Sequence, residues 1–147
     1  MFKTEIKGLK ELQVKLEQYD KNLANKIDEQ LSIGAENIAV LAKSKAPVGR
    51  SGKLGASISA DVSQRFSKSI SVGVPYGAFV EFGTGSKVFK TPEFNFTPEM
   101  KAYALEFFVS GKGKQPASPF LFPSLEIEKK RIIFRIKEVL FGKGGKL

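Results

Sequence analysis

Five consecutive residues, Gly49-Arg50-Ser51-Gly52-Lys53, have the composition of a phosphate-holding loop, with glycines for turn geometry and two cations. The spacing argues against that chemistry. A nucleotide phosphate loop places its first glycine five positions before the second, and Pro47 stands there; Leu54 follows the lysine where Ser or Thr is needed. The preceding segment also reads as a helix, whereas the phosphate loop follows a strand. Hydrolysis by paired carboxylates is the next chemistry to consider. Asp61, Glu81, Glu93, Glu99 and Glu106 could supply such a pair, but their spacing does not group them. The chain has no histidine and no cysteine. It therefore lacks the side chain best suited to proton transfer near neutral pH, and a Ser-His or Cys-His nucleophile cannot be assembled from it. No catalytic residue, cofactor or metal is expected.

The remaining chemistry is charge. The 147 residues carry a net charge of +9, which suits anionic surroundings, nucleic acid or an acidic protein, or simply keeps the chain soluble. Lys43, Lys45, Arg50 and Lys53 gather around a loop of small residues, where function concentrates more than on helix faces. Lys129-Lys130-Arg131, with Arg135 and Lys137, reads as a solvated helix face on which Glu128 pairs with Arg131 and Ile132 turns inward.

The elements that must position these groups follow from periodicity. Phe2, Thr4 and Ile6 alternate with charged neighbours as a short edge strand, which Gly8 ends. Leu9, Leu12, Leu16, Tyr19, Leu23, Ile27, Leu31, Ala35, Ile38 and Ala42 recur at steps of three and four, the stripe of a long amphipathic helix. Gly34 is expected to divide or kink it, and Pro47 to end it. Three strand-like runs follow, around Ile58–Val62, Ile70–Val74 and Tyr76–Phe82, the last uniformly apolar and expected to be central. Reversals at Gln64–Lys68 and Val74–Tyr76 make these an antiparallel meander.

Gly83–Pro119 is a long connection, of a length that is usually functional. Within it Thr97 and Pro98 start a short helix with Met100, Tyr103, Ala104, Phe107 and Phe108 on one face, which Ser110–Lys114 ends. Phe89, Phe94 and Phe96 also fall there; either the loop folds back over the sheet to bury them or they mark a protein interface, and because burial in a lone monomer is hard to arrange the interface is slightly favoured. A last helix begins near Pro123 with Leu125, Ile132, Ile136, Val139 and Leu140 inward, and Phe141-Gly142 closes it before a loose basic tail at 142–147. The expected fold is α+β: a three-strand meander plus an N-terminal edge strand, packed against a long N-terminal and a C-terminal helix. One domain spanning 1–147 is expected. The N-terminus lacks the apolar region of a signal peptide, and no apolar run reaches the ~18–20 residues of a membrane span, so the protein is expected to be soluble and made in the cytosol.

Three stretches together resemble one family. The first is Ala46-Pro47-Val48, then Ser51-Gly52-Lys53-Leu54 and Ser57-Ile58; the second runs Tyr76-Gly77-Ala78-Phe79-Val80-Glu81-Phe82-Gly83-Thr84; the third is Pro116-Ala117-Ser118-Pro119-Phe120-Leu121. In order and spacing they are similar to the tail-completion and head–tail joining proteins of long-tailed bacteriophages, the group that includes the minor tail protein Z of lambda-like phages, over roughly residues 1–140. Ser51 replaces the usual threonine, Gly77 intrudes before Ala78, and the segment 85–117 is longer than in many relatives. The resemblance implies a non-enzymatic virion protein of the neck or head-proximal tail, assembled in the host cytoplasm. It implies a homo-oligomeric ring, neighbouring neck and tail proteins as partners, and weak non-specific contact with packaged DNA through the Arg50–Lys53 loop. Pro47, Gly52, Leu54, Tyr76, Glu81, Phe82, Gly83, Thr84, Pro119 and Phe120 would be its structural positions, and Thr84, Lys87, Phe89, Phe94 and Phe96 an inter-subunit loop. The competing reading from charge alone is a basic DNA-binding domain acting independently of a virion.

Overall fold

A computed structural model describes residues 2–5, 14, 15, 18, 20–105 and 113–142. The expected contributions of Ile6, Gly8, Leu9, Leu12, Leu16, Tyr19, Glu106, Phe107, Phe108, residues 110–112 and the tail beyond 142 lie outside the described residues.

Strands β1 (Phe2–Glu5), β2 (Ile58–Asp61) and β3 (Ser69–Val72) form an antiparallel sheet of order β1-β3-β2. Phe2 and Ile58 both stand opposite Val72, so the inward residues of all three strands coincide in register. Helix α1 (Lys21–Lys45) lies on β2 and β3, and it packs more extensively still against the C-terminal helix α5 (Leu121–Phe141). Short helices α2 (Lys53–Ala56), α3 (Gly77–Phe82) and α4 (Pro98–Ala104) complete an α+β fold around one cluster of buried side chains.

Three expectations are corrected. The apolar stretch Tyr76–Phe82 forms helix α3, and the central strand is β3. Its buried residues Gly77, Ala78, Glu81 and Phe82 recur at helical spacing; a short apolar run alone does not separate strand from buried helix. Gly77 lets α3 approach the sheet, since a Cβ there would lie 2.6 Å from Val72 Cγ1. The long N-terminal stripe is interrupted at Asp20. Val14, Lys15 and Gln18 are helical, but Asp20 is extended (φ −158°) and its carboxylate accepts from the amides of Asn22 and Leu23, capping α1. Gly34 neither ends nor divides α1: it sits where α5 crosses closest, and a Cβ would fall 2.3 Å from Ile132 Cδ1.

The other boundaries agree with the sequence pattern. Ala46 before Pro47 is extended and ends α1. Thr97 caps α4 by accepting from the Met100 amide, with Pro98 in the first turn and Met100 and Ala104 buried. Gly142, at φ +77°, closes α5. Helix α5 begins at Leu121, two residues before the expected Pro123; Leu125, Ile136 and Val139 are half-buried and Ile132 buried, while Leu140 faces outward.

Candidate functional site

The second and third motif stretches meet in space. Glu81, on the last turn of α3, has no solvent exposure. Its Oε2 accepts from the amides of Phe120 (2.8 Å) and Leu121 (2.9 Å), and its Oε1 from that of Phe122 (2.9 Å). These are among the N–H groups that the start of α5 leaves without intrahelical partners. Burial pushes the Glu81 carboxyl up to about 7, against the downward pull of the three amides. Phe82 beside it is fully buried, its ring 5.5 Å from Phe122, 5.7 Å from Phe96, 6.1 Å from Phe89 and 6.3 Å from Phe2, centroid to centroid. Gly83 takes φ +81°, and a Cβ there would lie 2.7 Å from the Lys87 carbonyl oxygen and 2.8 Å from the Ala117 amide. Thr84 then pairs with Gln115: its amide donates to the Gln115 carbonyl (2.9 Å), and its Oγ1 accepts from the Gln115 amide (2.8 Å). Every residue of Glu81-Phe82-Gly83-Thr84 thus ties α3 to the segment leading into α5.

This arrangement corrects the expectation for the long connection. Phe96 is buried, and Phe89 and Phe94 are half-buried against the same cluster, with Phe94 and Phe96 edge to face at 5.1 Å. The connection folds back over α3 and covers Phe82, so Phe96 belongs to the core and Phe89 and Phe94 pack against it within one chain. Tyr103 adds to the cover, its ring 6.1 Å from Phe122 and its hydroxyl donating to the Lys3 carbonyl. Of the proposed inter-subunit residues, Thr84 is half-buried and hydrogen-bonded internally, and Lys87 is exposed.

A second buried carboxylate joins α1 to α5. Glu128 Oε1 accepts from Arg135 Nη2 (2.7 Å) and Asn37 Nδ2 (3.1 Å), and Oε2 from Arg131 Nη1 (3.3 Å). Burial opposes its charge, but the Arg135 and Asn37 hydrogen bonds and the Arg135 and Arg131 guanidiniums prevail and hold the carboxyl below its usual range. Two of the five cations on this helix are therefore directed to an internal partner; Lys129, Lys130 and Lys137 are exposed. A buried lysine with an acidic partner was not expected. Lys68 Nζ sits 2.9 Å from Asp28 Oδ1 and donates to the carbonyls of Gln64 and Val62, while Asp28 also accepts from the Phe66 amide. It locks the β2–β3 turn, where Phe66 adopts φ +59° and plugs the core, onto α1.

The first motif stretch lies apart. Leu54 is buried and anchors α2, whereas Pro47 and Val48 are exposed, Val48 most of all; Tyr76, which opens the second stretch, is exposed too. Gly52 supplies the left-handed turn (φ +61°) into α2. Lys43 and Lys45 occupy the last turn of α1, where cations are favoured by the helix dipole. With Arg50 and Lys53 they make an exposed basic end to the molecule. The acids do not converge: Asp61, Glu93 and Glu99 are exposed on separate segments and Glu81 is sealed. Among the described residues no group of three His, Cys, Asp or Glu could hold a metal, and no helix is long and apolar enough to cross a membrane.

Comparison with known proteins gives one finding. A family model described as "Bacteriophage HK97-gp10, putative tail-component" matches residues 10–83, half of the chain. The matched segment includes the first motif stretch and the second as far as Gly83, and excludes the third. No curated protein and no solved structure matches the chain.

Proposed function

Because this chain belongs to the HK97-gp10-like family of bacteriophage tail components, we propose that it is a structural protein of the virion neck, joining the DNA-filled head to the tail or completing the tail's head-proximal end as a ring. The observation that carries this reading is how the family-like motif is used. Glu81, Phe82, Gly83 and Thr84 are all engaged internally, holding α3 to α5. Residues recruited this way build a rigid block rather than a reactive centre. What the block presents outward is charge and helix surface, which suits contact with other virion proteins. In a ring, the Lys43, Lys45, Arg50 and Lys53 end would lie near the lumen and screen phosphate charge as DNA passes. Smooth passage requires contact with phosphates and none with base edges.

The direct test is complementation in vitro. A lysate of phage lacking this gene should gain infectious particles when the purified protein is added, as separate heads and tails join. No rise in titre would contradict the reading.

The exposed basic end also supports a second reading, a DNA-binding domain that works alone. That reading requires tight binding by the isolated protein, falling steeply with salt. The assembly reading expects little binding before the subunits assemble, and a filter-binding titration at two salt concentrations separates the two.

A further inference from the structure

Helices α1 and α5 each bury one face, and each carries on its far side a row of alternating apolar and charged residues. On α1 the row is Glu29, Ile33, Glu36 and Val40, all exposed. On α5 it is Lys130, Phe134, Lys137 and Phe141, also exposed. Ile33 and Val40 are 37% and 64% accessible, and Phe134 and Phe141 62% and 48%, large values for such side chains. Within each row the steps of three and four residues keep the members on one helical stripe. The rows are opposite in charge and identical in spacing. Set side by side in parallel, they bring Glu29 to Lys130, Ile33 to Phe134, Glu36 to Lys137 and Val40 to Phe141. Such a register alternates apolar layers with ion pairs, as paired helices with a seven-residue repeat do. Among the described residues, none of the four charges is engaged in an ion pair within the molecule.

The two rows cannot meet within one chain, because α1 and α5 already pack on each other through their opposite faces. We propose that the outer face of α5 docks on the outer face of α1 of a second copy of this chain. Unlike faces then pair, so the contact is head-to-tail, the kind that closes into a ring when the rotation permits. The proposal rests on the assembly reading above and names the surfaces that would carry it.

Sedimentation of the parent and two charge-reversed variants, Glu29→Lys/Glu36→Lys and Lys130→Glu/Lys137→Glu, tests it. Each variant sets like charges against each other in its own homotypic contact, whereas an equimolar mixture restores opposite charges at every junction. The expected result is an oligomeric parent, two monomeric variants that still unfold cooperatively, and a mixture that assembles. The mixture doubles as the control that both variants are folded. An oligomeric parent whose variants assemble equally well alone, or whose mixture stays monomeric, overturns the pairing while leaving self-assembly standing. A parent that stays monomeric from micromolar to millimolar concentration overturns both the pairing and the ring.

Discussion

A carboxylate sealed from water is tolerated only when donors replace its hydration, and Glu81 draws three of them from the capping residue Phe120 and the first two residues of α5. Removing the carboxyl leaves buried N–H groups without partners, at about 1–3 kcal/mol apiece. Glu81→Ala is therefore expected to lose roughly 3 kcal/mol or more of stability in urea unfolding. Its pH behaviour has a defined sign. The folded carboxyl titrates near 7 rather than at its ordinary 4.5, so the folded state holds the proton more tightly. The Glu81 contribution is fully present below 4.5 and is lost as pH rises to about 7. Glu81→Gln should remove that decline from the pH profile of unfolding. Glu128 runs the other way. Its carboxyl is held below the usual range, so its contribution is present above that range and is lost on acidification. Glu128→Ala strands Arg135, whose side chain is largely buried, and should cost roughly 3–5 kcal/mol. These roles were only partly legible. The Glu128–Arg131 pair follows from helix spacing, but the Glu81 donors lie about forty residues along the chain, and no local pattern announces a contact of that range.

At the scale of elements, the closest contact between helices turns on Gly34. Alanine there would add helix propensity worth about 1 kcal/mol, but its methyl group would overlap Ile132. Overpacking of this kind costs roughly 1–3 kcal/mol, so Gly34→Ala should destabilise on balance, and less so in an Ile132→Ala background. Thermal unfolding of the single and double variants measures the coupling. Read as sequence, Gly34 was a helix breaker, because propensity is local and the presence of α5 above it is not. Asp20 was the true boundary, and its signal was a capping side chain standing inside an otherwise apolar repeat. The Tyr76–Phe82 run failed as a strand for a similar reason. It is too short for its period to declare itself, and what settles it is Gly77 fitting against Val72 and Glu81 reaching α5. The phenylalanines of the long connection were misjudged because their cover is the connection itself, folded onto Phe82.

For the whole molecule, the α+β class, the edge position of β1, the turn regions and the C-terminal ends of α1 and α5 were legible from alternation, helical period, proline and glycine. The order of strands was not, because β1 pairs with β3 across more than sixty residues. Nor were the outer rows of α1 and α5, which acquire meaning only once the buried faces of both helices are known. A compact block with a basic end, in a family of phage tail components, supports the central proposal that the subunit completes the connection between head and tail. Electron microscopy of particles made when the gene is deleted tests that claim most directly. The account predicts DNA-filled heads lying beside unattached tails of normal length. Overlong tails would indicate control of tail length instead, and intact infectious particles would contradict the claim outright.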